Sequence, residues 1–157
     1  MRTGLPLLLA AAVAVPCAAQ ADVEWKLFKK DGRAYLQGFS GEYEGDSEFW
    51  AHCRRDGAID IGVGAHSQVG KGKRDAVTLT LASAGLRARL SGVSRESANV
   101  EMTGGTELRA KVRPDDAVFA VLGTGRPIAV TGSIEQPATW GVKGLKAKVA
   151  AFLKACK

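Results

Sequence analysis

From Val23 onward, apolar residues recur at every second position. Val23, Trp25 and Leu27 alternate with Glu24 and Lys26, the pattern of a strand with one buried face. Asp31-Gly32 follows, a pair that tolerates the positive φ angles of a type I′ turn, and predicts a hairpin into Arg33 to Phe39. There Ala34, Leu36 and Gly38 share one face and Tyr35 takes the other. A second hairpin obeys the same rule. Ser47 to Arg54 sets Phe49, Ala51 and Cys53 against Trp50, His52 and Arg54, Asp56-Gly57 turns the chain, and Ile59, Ile61 and Val63 return. Cys53 is thereby predicted to point inward with Phe49. Beyond a Gly- and Lys-rich loop from His66 to Arg74, a strand carries Val77, Leu79 and Leu81. Another sets Leu86, Ala88 and Leu90 against Arg87 and Arg89, Val100 and Met102 continue the pattern, and Gly104-Gly105 precedes Leu108, Ala110 and Val112. Strands recurring every 8 to 12 residues or so with turn signals between them predict a mainly β chain, an antiparallel β-sandwich or open barrel, with an α+β arrangement as the alternative.

The ending changes period. Pro114-Asp115-Asp116 suits a helix start, and Val118, Val121 and Leu122 follow at helical spacing before Gly123. After a strand around Pro127 to Gly132, the residues Val142, Leu145, Val149, Phe152, Leu153 and Cys156 fall on one stripe, the mark of a C-terminal amphipathic helix. A bond from Cys156 to Cys53 would pin that helix to the inner face of the second hairpin.

The N-terminus has a different character. Arg2, the low-polarity stretch Leu5 to Val15 and the small-x-small triplet Ala19-Gln20-Ala21 read as a signal peptide over residues 1–21, leaving a single β-rich domain over residues 22–157. The apolar run is about half the ~20 residues of a spanning helix, so no stable membrane insertion is expected after cleavage. Cys17 leaves with the leader. Cys53 and Cys156 remain, and an even pair in an exported chain predicts one structural disulfide and a periplasmic or secreted location. With 46% hydrophobic and 24% charged residues, the chain is neither disordered nor collagenous.

Candidate chemistry is sparse. The two histidines, His52 and His66, lack the companions of a zinc site, and His66-Ser67 lacks a nucleophile elbow. No cofactor motif occurs, and the expectation is a protein without catalytic, cofactor or metal residues. Glu42, Glu44, Asp46 and Glu48 form an alternating acidic stretch without EF-hand spacing. Together with Trp50, the acids Glu42, Glu44 and Glu48 are a candidate partner contact. The formal net charge of +6 falls by one when Arg2 leaves. Lys71, Lys73, Arg74, Arg87 and Arg89 are a candidate anion patch for phosphate, an anionic glycan or an acidic protein. Nucleic acid is not expected, because the chain reads as exported and its aromatics are not interleaved with basic residues along the sequence.

The strand Phe49-Trp50-Ala51-His52-Cys53-Arg54 leading to Ile59-Asp60-Ile61, and the closing Gly144-Leu145, Phe152 and Cys156, resemble the VasI family of type VI secretion-associated proteins and, more loosely, the invasion-associated locus B family. Trp25 fits the same pattern. The resemblance implies a disulfide-bonded periplasmic β-sandwich without known catalysis. The expected function is a non-catalytic binding or assembly component of the cell envelope, its partner an envelope protein or an anionic glycan. Two alternatives stand beside it. A periplasmic inhibitor of a hydrolase such as lysozyme would probe a basic cleft with Glu42 to Glu48, and a small hydrolytic enzyme would use carboxylates that nothing in the sequence selects.

Overall fold

A computed structural model of the protein describes residues 20–40, 47–64, 68–97 and 105–157. Of the signal peptide read over residues 1–21 only Gln20–Ala21 are described, and they form a strand that cleavage after Ala21 would remove; Glu42, Glu44, Asp46, His66, Val100 and Met102 lie outside the described residues.

One sheet organises the chain. Its strands are β1 (Gln20–Ala21), β2 (Val23–Lys30), β3 (Arg33–Ser40), β4 (Ser47–Cys53), β5 (Ile59–Val63), β6 (Lys73–Ser83), β7 (Leu86–Glu96), β8 (Thr106–Val112), β9 (Ile128–Gly132) and β10 (Ala138–Trp140). They follow the order β1-β10-β9-β6-β7-β8-β5-β4-β3-β2, antiparallel throughout except where β1 runs parallel to β10. Of the two expected architectures, the sheet takes the barrel, nearly closed.

The predicted turns fix its register. Asp31 and Gly32 adopt φ of 51° and 73°, so Lys30 faces Arg33 and every later pair follows, Phe28 with Tyr35 and Leu27 with Leu36. Ala84-Gly85 makes a second turn of this kind between β6 and β7, with φ of 49° and 81°.

Closure comes from the first strand. Only Asp22 separates β1, paired to β10, from β2, paired to β3, so one continuous segment occupies both outer edges of the sheet. Trp25 Nε1 donates to the Gly141 carbonyl at 2.8 Å, and Gly141 N donates to the Ala21 carbonyl at 2.9 Å. Backbone groups that would otherwise template pairing with another chain are thus engaged.

Two helices complete the core. α1 (Ala117–Leu122) contacts β7 and β6, while α2 (Leu145–Ala155) contacts β3 and β2. Pro114 and Asp115 stand before α1 rather than in its first turn. The physical reason is the cap: the Asp116 side chain accepts from Val118 N at 3.0 Å, which starts the helix at Ala117. Leu145, Val149 and Phe152 of α2 join Leu36, Phe49 and Ile61 from the strands in one buried cluster. Each such side chain contributes about 1.5–3 kcal/mol through burial. Val142, expected within the terminal helix, precedes it, because Gly144 at φ 71° begins α2.

Cys53 and Cys156 are bonded across a sequence separation of 103 residues, with Cα atoms 5.3 Å apart. Cys53 points inward beside Ala51, as the alternation predicts, and the bond ties the end of α2 to β4. Constraining so long a loop stabilises the fold by about 4–5 kcal/mol in the chain-entropy description. Replacing both cysteines by alanine is expected to lower the unfolding free energy by about 2–5 kcal/mol in denaturant titrations; an unchanged midpoint and slope would show that the clamp contributes nothing.

Candidate functional site

Strands pleated around a packed interior send alternate side chains outward, where polar residues are the default. On the outer face of β2, β3 and β4 aromatic residues stand there instead. Register pairs Phe28 with Tyr35 and Tyr35 with His52, and Trp50 lies two residues from His52 on the same side of β4. The rings form a continuous stack. Phe28 and Tyr35 have centroids 5.3 Å apart at 7°, Tyr35 and His52 5.2 Å at 28°, and His52 and Trp50 5.6 Å at 16°. Offset stacking of this kind is worth about 0.5–1.5 kcal/mol per pair beyond burial, so the rings hold one another in place.

Trp50 anchors one end. A Cβ at Gly62, its cross-strand partner, would lie 2.1 Å from the indole nitrogen, so the ring fills the space that glycine leaves open on β5. Trp50 Nε1 donates to Glu107 Oε2 at 2.9 Å, Arg109 Nε donates to Glu107 Oε1 at 2.7 Å, and the Arg109 guanidinium lies 5.8 Å from the indole centroid. Glu107 is only 3% exposed, and these two donors compensate its burial.

Between the indole and the next pairs of β5 and β8 lies a cleft of about 360 Å³, lined by Trp50, His52, Asp60, Arg109 and Lys111 over Ile61 and Ala110. That volume falls within the range of small-molecule sites. A chain of polar and charged groups borders it. His52 Nε2 is 3.3 Å from Asp60 Oδ2, Arg54 reaches Asp60 at 3.0 Å and Asp56 at 3.3 Å, and Lys111 reaches Asp56 at 2.8 Å. Burial, the largest influence, lowers the His52 pKa below the ordinary 6.5; Asp60 opposes this, while Arg33 and Arg54 reinforce it. The imidazole is therefore neutral at pH 7. Asp56 is held at about 2, first by the hydrogen bond from Lys111 and then by that from Ala58 N.

The residues singled out from sequence meet different fates. Trp50 is half-buried and central to the cleft. Glu48, expected beside it as a contact, is 2% exposed. The physical reason is its position, where Val69 closes against Gly64: a Cβ there would lie 2.4 Å from Val69 Cγ2, and Gly64 N donates to the Glu48 carbonyl at 2.9 Å. Glu42 and Glu44 lie outside the described residues. The anion patch divides. Lys71, Lys73 and Arg74 are exposed at the start of β6, whereas Arg87 and Arg89 pair with Ala82 and Thr80 near its other end, about 20–30 Å along the strand. Lys71 and Lys73 each donate a backbone N–H to Asp75, which closes that loop on itself. Among the described residues, no group of three or more His, Cys, Asp or Glu side chains is placed to hold a metal ion.

Sequence reasoning missed Phe28, Arg109 and Lys111 and left His52 without a role. One signal was present: a two-residue turn at Asp31-Gly32 places Phe28 opposite Tyr35. The pairing of β3 with β4 was not readable, because a register shift at Gly38/Phe39 intervenes.

Comparison with protein-family models, with curated proteins and with solved structures found no match. The resemblance to the VasI and invasion-associated locus B families thus rests on the motifs around Cys53 and Cys156 and on Trp25.

His52 gives a pH test. Its folded pKa lies below that of the unfolded chain, so protonation favours unfolding; its contribution is complete above pH 6.5 and declines as the pH falls below that value. An NMR titration of the imidazole is expected to show a midpoint below 6.5, and His52→Gln is expected to flatten the decline in stability between pH 7.5 and 5.5. A midpoint above 6.5 would contradict the assignment.

Proposed function

We propose that the protein is a non-catalytic binding component of an oxidising compartment, periplasmic or extracellular, and that it binds an anionic glycan through the outer face of β2–β5 and β8. One observation carries this reading: an outward stack of Phe28, Tyr35, His52 and Trp50 ends in a cleft bordered by Arg109 and Lys111. An outer sheet face needs no aromatic residues for solubility. A glycan needs apolar ring surface for its C–H groups and charged or polar groups for its hydroxyls and carboxylates, and the cleft offers both within one sheet. The rings are already fixed by their neighbours, so little side-chain entropy is lost on binding.

The carboxylates favour binding over hydrolysis. Glu107 is held by Trp50 and Arg109, and Asp60 by Arg54, so both are occupied as positioning groups rather than poised for proton transfer. The disulfide fits an oxidising compartment, and among the described residues no helix is long and apolar enough to cross a membrane.

Isothermal titration with a uronic-acid oligosaccharide and a neutral oligosaccharide of equal length tests the reading. The acidic ligand is expected to bind more tightly, and Trp50→Ala and Arg109→Gln are each expected to weaken it about tenfold, a change of about 1.4 kcal/mol. Arg87→Ala, remote on β7, is expected to leave affinity unchanged. Equal affinity for the two ligands, or full binding by both cleft variants, would refute the proposal.

A further inference from the structure

At the disulfide end of the barrel, the rim gathers positive charge. Continuing the β3–β4 register from the Tyr35–His52 pair sets Arg33 directly across from Arg54. Like charges directly opposite on neighbouring strands destabilise a sheet. Arg54 is neutralised by Asp56 and Asp60, but among the described residues Arg33 has no carboxylate partner, and neither has Arg55 or Lys157. These four cations surround a cavity of about 240 Å³ between the two hairpin turns and the end of α2, and no acidic side chain lines it. Gly32 and Gly57 form part of its wall, where a Cβ would meet nothing within 4 Å, so the space between the turns is open.

We propose that this pocket is an oxyanion site, taking a phosphate or sulfate group between Arg33, Arg55 and Lys157. A planar guanidinium matches two oxygens of such a group, and one at the start of β3 and one on the turn after β4, with a lysine, make a three-sided cradle. The anion would supply Arg33 with the counter-charge that Arg54 already receives from Asp56 and Asp60. The pocket is separate from the Trp50 cleft, and the proposal stands without the glycan reading.

The competing account is that the cations only complement the negative C-terminal end of α2. Amide-resolved NMR titration of the disulfide-bonded protein separates the two, using sodium sulfate, inorganic phosphate and a sugar phosphate monoester, each against sodium chloride at matched ionic strength. Saturable shifts at Gly32, Gly57 and Cys156 are expected with at least one oxyanion and not with chloride. Preference for the monoester over inorganic phosphate names an esterified ligand as the source, and the reverse names the free ion. Arg33→Gln, at the half-buried start of β3, and Arg55→Gln, on an exposed turn, are each expected to weaken binding at least tenfold, while Trp50→Ala leaves it unchanged. Shifts that follow ionic strength alone, or affinity retained in both arginine variants, would overturn the proposal.

Discussion

Cross-strand register is the constraint from which the rest of this structure follows. Because side chains alternate with a period of two, a slip of one residue would carry Leu36, Phe49 and Ile61 outward and bring Tyr35, Trp50 and Asp60 into the interior. Burial of the apolar set forbids that slip. The same restriction that assembles the core therefore also assembles the outer stack, and the site needs no separate organising element. Gly62 illustrates the coupling: its missing side chain makes room for Trp50 outside while Ile61 and Val63 pack inside.

Closure protects that register. The Trp25–Gly141 hydrogen bond, which lies wholly within residues 22–157, locks the seam from within, and in the full chain β1 and β2 of one segment take the two edges of the sheet. The disulfide acts at the opposite end of the same layer, joining α2 to the strand that carries Trp50 and His52. Core, seam and clamp thus converge on β4. The strand that anchors Phe49, Ala51 and Cys53 inward is also the one that presents Trp50 and His52 outward.

Much of the fold was legible in the chain. Alternation and the Asp-Gly pairs revealed β2 to β5, because both signals are local and independent of the remainder of the protein. The inward orientation of Cys53 was readable for the same reason, whereas its bond to Cys156 followed from the even cysteine pair of a chain read as exported. β10 escaped notice, since three residues between Pro137 and Gly141 are too few to establish a period. The start of α1 shifted because a capping aspartate and its acidic neighbour look alike in sequence. The site was far less legible. Its residues come from five strands, and the shift at Gly38/Phe39 prevents extrapolation from β2–β3 to β4. Basic residues grouped from the sequence, such as Lys73 and Arg89, were divided by the length of a hairpin, while Trp50 and Arg109 were united through Gly62.

The account therefore stands or falls with the outward row from Phe28 to Trp50. Proton–proton NOEs between aromatic rings report it most directly, without a ligand or a substitution. The register described here predicts contacts between Phe28 and Tyr35, Tyr35 and His52, and His52 and Trp50 in the folded, disulfide-bonded protein. Absence of the Tyr35–His52 contact, with Tyr35 ring protons instead reaching the interior near Ala51, would contradict both the register and the binding face built upon it.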